Sequence, residues 1–254
     1  MLAVSAVICF PQPGSASDWY FLPAKNHQPA TTEPEYAALL KKYNGIYTGN
    51  TAKKEIFLTF DNGYEAGYTG KILDTLKKEH VPATFFITGH YITDQPELVR
   101  RMVREGHIIG NHSWGHPDLS QISDQRYEQE LKKLKDAYTK LTGNKTMRYL
   151  RPPRGTFSER SLKLANNAGY VSVFWSAAYQ DWLRDQQHGG GYAYDHIMRR
   201  IHPGAIVLLH TVSRDNADAL PRVIADLKKQ DYQFRSLDDL MAEKSLDRHQ
   251  QPKK

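Results

Sequence analysis

Cysteine, long apolar runs and blocks of basic residues are all scarce in this sequence. The 254 residues include a single cysteine, Cys9, near the amino terminus. The apolar run at residues 1–10 is far shorter than the roughly 20 residues that a helix needs to cross a bilayer. Lys and Arg outnumber Asp and Glu by 34 to 28, but they are scattered. This balance favours anionic polymers in general and does not predict a nucleic acid partner.

The amino-terminal run predicts a signal peptide over residues 1–17. An apolar stretch is followed by Pro11, Pro13 and the small residues 15–17, which is typical of a cleavage zone, although no basic residue precedes it. A buried first strand is the alternative. Cleavage would remove Cys9, so we expect a secreted protein whose mature chain has neither disulfides nor a catalytic thiol.

The remaining chain shows a regular alternation that predicts an α/β fold. Residues 18–54 lack a sustained period and are expected to be a lead-in that packs on the surface, with one helix near 34–43. From 55 to 244, short apolar runs alternate with helical periods, as in βαβ units. The predicted strands are 55–60, 83–88, 107–110, 147–151, 170–175, 205–210 and 232–235. About seven such units predict a closed or nearly closed parallel (β/α) barrel. The polar, basic tail at 245–254 is expected to be disordered.

Polar residues follow five of the predicted strands at the same end. Asp61, His112, Arg151, Asp181 and His210 each lie at or just beyond the carboxyl end of a strand. Catalytic groups of parallel barrels occupy this end. We therefore expect these side chains to converge on Asp61, whose buried carboxylate needs a cation or a metal nearby.

His112 and His116 are candidates for metal ligands. A spacing of four residues on a helical turn places two imidazoles on one face. Chance is the alternative, because the chain has 11 histidines. The position after a strand and beside Asp61 favours a metal site.

Five motifs together resemble a known family. Thr59-Phe60-Asp61-Asn62-Gly63, His112-Ser113-x-x-His116, Arg151-Pro152-Pro153-Arg154-Gly155, Asp181-Trp182 and Leu208-Leu209-His210 are similar in order and spacing to those of the polysaccharide deacetylases, carbohydrate esterase family 4. The resemblance covers about residues 53–240. It implies a single distorted parallel (β/α) barrel that hydrolyses N-acetyl groups of chitin-like sugars or peptidoglycan, usually with a zinc-type metal.

The resemblance also implies a role for each motif residue. Asp61 would be the general base, held by Arg151, and His210 the general acid, oriented by Asp181. His112 and His116 would bind the metal. The backbone N–H of Arg154 would stabilise the oxyanion. Trp182 and Leu208 would wall a pocket for the acetyl methyl, with ordinary core packing as the alternative for both.

The sequence departs from the family at Asn62 and Arg154. The family has a metal-binding aspartate where Asn62 offers only a neutral oxygen, so a divalent metal is expected to bind weakly or not at all. Arg154 replaces an aromatic residue, and arginine binds carboxylates in a bidentate fork.

Both departures resemble a subgroup, the spore-cortex muramic acid deacetylases. This likeness implies N-acetylmuramic acid in peptide-free peptidoglycan as the substrate and muramic δ-lactam as the later product. The expected location is the cell wall or cortex space of a spore-forming bacterium, after an N-acetylmuramoyl-L-alanine amidase has removed the stem peptide. The alternatives are an N-acetylglucosamine or chitooligosaccharide deacetylase, which Arg154 disfavours, and a non-catalytic peptidoglycan-binding barrel, which Asn62 favours.

Overall fold

Strands and helices are described for residues 16–25 and 28–250 in a computed structural model. The strands are β1 (Ser17–Asp18), β2 (Phe21–Leu22), β3 (Thr31–Thr32), β4 (Glu55–Asn62), β5 (Ala83–Ile87), β6 (Ile108–Asn111), β7 (Tyr149–Leu150), β8 (Thr156–Phe157), β9 (Val171–Ser172), β10 (Ala205–His210) and β11 (Gln233–Phe234). The helices are α1 (Pro34–Lys42), α2 (Thr69–Lys78), α3 (Gly89–Asp94), α4 (Pro96–Arg104), α5 (Asp124–Thr142), α6 (Glu159–Asn167), α7 (Gly190–Arg200), α8 (Arg214–Lys229) and α9 (Leu237–Gln250).

The central sheet is parallel and curls into a distorted barrel, as predicted. Its strands run in the order β10-β4-β5-β6-β7-β9, and β11 pairs with the start of β4. The gap between β9 and β10 is bridged by a single parallel contact between Ala177 and Val207. The helices cover the outside of the sheet. Their apolar residues form one buried cluster with those of the sheet strands; the helices involved are α2, α4, α5, α7 and α8.

Helix α5 shows how the sequence dictates an element. Ser123 caps its first turn by accepting a hydrogen bond from the backbone N–H of Arg126. Gly143 ends it in the left-handed conformation, at φ 76°. The sequence predicts one apolar stripe along this helix, Tyr127, Leu131, Leu134, Tyr138 and Leu141. The first four are buried and Leu141 is partly buried.

The lead-in contributes more than a surface layer. Trp19 and Leu40 are buried in a cluster with Phe157, Leu162 and Phe174 of the barrel. Strand β1 pairs antiparallel with β8, and the backbone N–H of Trp19 donates to Gly155 O at 3.0 Å. The short, irregular segment therefore closes one side of the barrel. Aromatic packing, which has no sequence period, and the pairing with β8 hold it there.

Other elements also differ from prediction; for example, β4 continues to Asn62 and β7 is limited to Tyr149–Leu150. Helix α3 was not predicted, and β9 is shorter than the predicted 170–175. Helix α9 continues to Gln250 instead of ending at 244, because no glycine or proline interrupts the chain before Pro252. The predicted disordered tail is thus helical as far as it is described, and residues 251–254 lie outside the described residues.

The signal peptide prediction concerns a segment that lies almost wholly outside the described residues, since the description begins at residue 16. Among the described helices, none combines the length and the apolar character needed to cross a membrane.

Candidate active site

A cavity of about 630 Å³ opens at the carboxyl ends of the barrel strands. Its walls include Asp61, His112, His116, Arg154 and His210, which follow or end four different strands. Trp182 and Leu208 also line it, together with Tyr64, Thr88, His90, Trp114, Trp175 and Val212. The polar residues that follow the strands in sequence therefore do converge.

Asp61 and His210 are register partners on adjacent parallel strands. The ladder between β4 and β10 pairs Asp61 with His210 and Thr59 with Leu208. Because side chains alternate between the faces of a strand, all four point to the barrel interior. An acidic and a basic side chain are thus placed side by side by backbone register alone.

Arg151 holds the carboxylate of Asp61. Its Nη1 lies 2.9 Å from Asp61 Oδ1 and also donates to Thr59 Oγ1 at 2.8 Å. The Arg151 side chain is fully buried, and its guanidinium stacks 4.2 Å over the ring of Phe86. Burial alone would raise the pKa of Asp61, but the charge of Arg151, with smaller effects of the nearby histidines, lowers it. Asp61 is therefore ionised, with Oδ2 left to face the cavity.

His210 is oriented by a buried carboxylate. Its Nδ1 donates to Asp181 Oδ1 at 2.7 Å, and its backbone N–H donates to Oδ2 at 2.8 Å. Asn216 Nδ2 donates to the same Oδ2 at 2.6 Å, and the Tyr179 hydroxyl donates in turn to Asn216 Oδ1. Burial lowers the pKa of His210, but the charge and hydrogen bond of Asp181, together with the charge of Asp61, outweigh burial and raise the pKa above its usual value. The ring is held with Nε2 toward the cavity and is readily protonated.

His112 and His116 lie together, but not on a helical turn as predicted. They occupy the loop after β6, where Ser113 and His116 have φ angles of 64° and 56°. The loop is held by a hydrogen bond from the His116 backbone N–H to Ser113 Oγ at 2.9 Å. The two ring centroids are still 4.8 Å apart. A spacing of four residues thus brings the rings together through a left-handed turn.

Both imidazoles are neutral at neutral pH. Burial lowers the pKa of His112, and burial together with His112 lowers the pKa of His116 to about 4. His112 Nδ1 lies 2.8 Å from Arg151 O and donates to it, which leaves the lone pair of Nε2 exposed 3.5 Å from Asp61 Oδ2. Two acceptors this close favour a hydrogen-bond donor or a cation at the position they share.

Asn62 does not complete a metal site. Its side chain is fully buried, its Nδ2 donates to Thr211 Oγ1 at 2.7 Å, and it does not line the cavity. Its Oδ1 is buried and has no hydrogen-bond partner among the described residues. Within the same part of the chain, no three His, Cys, Asp or Glu side chains are grouped so as to hold a metal ion. Two neutral imidazoles alone do not fit the zinc-type ion that the family resemblance implies.

The three predicted substrate-binding residues all line the cavity. Arg154 is exposed at its rim and forms no hydrogen bond or ion pair with any described residue. Trp182 is 46% exposed and stands over His210, with ring centroids 5.5 Å apart, so it is not a core residue. Leu208 is buried in the wall below His210.

Comparisons with known proteins agree with this geometry. Residues 48–173 match the family described as polysaccharide deacetylase. The peptidoglycan-N-acetylmuramic acid deacetylase PdaA of Bacillus subtilis is 52% identical over 246 residues, which are 97% of this chain and 94% of PdaA. The chain belongs to the polysaccharide deacetylase family. It is accordingly a hydrolase of the carbohydrate esterase family 4 type.

Solved structures of this family extend the likeness. The structure of PdaA from Bacillus subtilis superposes with a TM-score of 0.90 and 53% identity, covering 92% of this chain and all of that one. The structure of a carbohydrate esterase family 4 pseudoenzyme from Bacillus anthracis superposes with a TM-score of 0.72 and 31% identity. The match covers 77% of this chain and 68% of the pseudoenzyme chain. A peptidoglycan-N-acetylglucosamine deacetylase of Bacillus cereus is 33% identical over 206 residues, or 78% of this chain and 72% of that protein.

Several supporting residues of this deacetylase site were not predicted. Thr59 binds Arg151, and Asn216 fixes Asp181 from the first turn of α8. The pair Asp215-Asn216 stands directly before the apolar residues of α8. Because buried polar groups require partners, this pair could have indicated that Asn216 binds another polar side chain. Trp175, at the end of a predicted strand, could have been inferred from its position. Tyr64 carried no sequence signal.

Proposed function

We propose that this protein removes the N-acetyl group from N-acetylmuramic acid in peptide-free peptidoglycan strands. The observation that carries the proposal is Arg154, which is exposed at the rim of the cavity that holds Asp61 and His210 and forms no hydrogen bond with any described residue. The charge of Arg154 also lowers the pKa of Asp118, but its N–H groups bind no described residue. Such a guanidinium is suited to a carboxylate on the substrate, which muramic acid carries on its lactyl group and glucosamine lacks. The 52% identity to PdaA supports the same substrate.

Each step of amide hydrolysis has a residue in position. Asp61 Oδ1 is occupied by Arg151, so Oδ2 takes the proton of the attacking water. The backbone N–H of Arg154, at the cavity wall, would stabilise the oxyanion. Protonated His210 gives its Nε2 proton to the departing amine while Nδ1 remains bonded to Asp181. Leu208 and Trp182 enclose the acetyl methyl.

The product suggests the place of the reaction. The freed amine of muramic acid lies near the lactyl carboxyl of the same sugar, and the two can condense to the δ-lactam once no stem peptide occupies that carboxyl. An N-acetylmuramoyl-L-alanine amidase would therefore act first. Such a sequence of steps fits a secreted protein of the cell wall or the spore cortex. The predicted signal peptide over residues 1–17 would direct that secretion.

The test is acetate release from amidase-treated, peptide-free strands, compared with chitooligosaccharides. We expect release from the strands and none from Asp61→Asn, with mass spectrometry showing the lost acetyl group. Arg154→Gln is expected to lower kcat/KM on the strands about tenfold or more, because a charge-assisted hydrogen bond contributes about 1.5–3 kcal/mol. Its activity on chitooligosaccharides should change little.

Arg104→Gln is the matched control for this comparison. It removes the same charge from an exposed site at the opposite end of the barrel, in the last turn of α4. Equal losses on both substrates in Arg154→Gln would show that the arginine does not read the lactyl carboxylate.

A non-catalytic peptidoglycan-binding barrel is the second candidate, because Asn62 stands where the family has a metal-binding aspartate and a pseudoenzyme occurs among the relatives. The intact pairs Asp61–Arg151 and His210–Asp181 argue against it. Binding of strands without acetate release from either substrate would establish this candidate.

A further inference from the structure

A second arginine, Arg184, contacts a residue of the cavity wall, away from Arg154. The guanidinium of Arg184 lies 5.6 Å from the ring centroid of Tyr64, within the range of a cation–π contact. Tyr64 lines the cavity and is 37% exposed. Arg184 is exposed and forms no hydrogen bond or ion pair with any described residue, including its neighbour Asp185.

Strand order places the two arginines on different sides of the cavity. Arg154 follows β7. Tyr64, whose ring contacts the guanidinium of Arg184, follows β4. Strands β5 and β6 lie between them on one side. On the other side lie β9, the segment bridged through Ala177, and β10. The two guanidinium groups are therefore associated with different strands of the barrel wall.

The cation–π contact with Tyr64 holds the Arg184 guanidinium over a ring of the cavity wall, where it can bind a carboxylate. A guanidinium laid over an aromatic ring uses its face for the contact and keeps its N–H edge free for a bidentate acceptor. Less side-chain entropy is lost on binding when the fork is already held in place.

Peptidoglycan supplies a carboxylate at a fixed repeat. Its sugars alternate, so in a peptide-free strand a lactyl carboxylate recurs on every second sugar. We propose that Arg184, held over Tyr64, binds the lactyl carboxylate of the muramic acid two sugars away from the one whose acetyl group is removed. This inference rests on the proposed function and makes the enzyme selective for strands with at least two muramic acid residues.

The test compares a disaccharide with one muramic acid and a tetrasaccharide with two, both peptide-free, measured as acetate release. For Arg184→Gln we expect kcat/KM to fall about fivefold on the tetrasaccharide, because an exposed ion pair contributes up to about 1 kcal/mol. The disaccharide rate should not change. Chitotetraose, which has no carboxylate, should be equally insensitive.

Two variants control the interpretation. Arg104→Gln removes the same charge far from the cavity and should leave the preference for the longer substrate intact. Tyr64→Leu removes the support of the guanidinium and should reproduce part of the length-dependent loss. Equal loss on both lengths, or no loss on either, in Arg184→Gln would overturn the inference. Absence of acetate release by the wild type from both substrates would instead refute the proposed function.

Discussion

The buried ion pair between Arg151 and Asp61 provides the strongest test of the site's energetics. Arg151 is fully buried and Asp61 is 7% exposed, so Arg151→Met would leave a carboxylate without its partner in the barrel interior. Breaking one side of a buried pair costs about 3–5 kcal/mol. In a protein of this size that loss corresponds to a fall in Tm of about 6–20 °C.

The double-mutant cycle separates the pair from simple packing. Asp61→Asn alone leaves the guanidinium unpaired, whereas Arg151→Met with Asp61→Asn removes both charges and should recover much of the stability lost in either single variant. Urea unfolding of all four proteins gives the coupling free energy, which we expect to reach about 2 kcal/mol or more. Additive losses would refute the interpretation that the two charges stabilise each other.

The same cycle has a pH signature. In the wild type the pKa of Asp61 is lowered, so its stabilising contribution is present above the unfolded-state pKa and is lost as the pH falls through the folded-state pKa. In Arg151→Met, burial without the partner raises this pKa, so that variant gains stability on acidification. The difference in unfolding free energy between the two proteins should therefore narrow at acid pH, and a constant difference would contradict this account.

Three further predictions concern the rest of the site. Asp181→Asn removes the charge that raises the pKa of His210, so the alkaline limb of the kcat/KM profile should move to lower pH; an unmoved limb would exclude His210 as the acid. A chelator should leave most of the acetate release intact, because the two imidazoles lack the carboxylate ligand that Asn62 replaces; loss of activity that zinc restores would contradict this. Gly155→Ala should lower the free energy of unfolding by about 1–3 kcal/mol in urea titration, since Gly155 has φ 74° and a Cβ would lie 2.7 Å from Trp175; an unchanged midpoint would contradict it.

The sequence predicts best what depends on local periods. The alternation of apolar runs and helical stripes is sufficient for the parallel barrel, and residues at the carboxyl ends of its strands converge because parallel strands share one end. The predictions that fail concern boundaries set by contacts between distant segments of the chain. Strand β9 ends early because Val173 pairs with Ile46 of the lead-in, and Ala177 then pairs with Val207. No period in residues 170–177 encodes that change of partner.

The site shows the same division between local and distant causes. The proximity of His112 and His116 follows from their spacing, but the left-handed turn that achieves it depends on the Ser113 hydroxyl. Asn62 was expected to be at most a weak metal ligand, and its Nδ2 donates to Thr211 Oγ1 behind the cavity wall. The orientation of the Asn62 side chain is set by Thr211, which directly follows β10. A single sequence does not identify such a neighbour.

The register between β4 and β10 has a consequence for how activity arises. The base at Asp61 and the acid at His210 come from distant parts of the chain and become neighbours only when these two strands pair. Contacts of such long sequence separation form slowly during folding. Recovery of acetate release after dilution from denaturant should therefore lag behind recovery of the helical circular dichroism signal. The rate at which activity returns would then report the rate at which β4 and β10 pair.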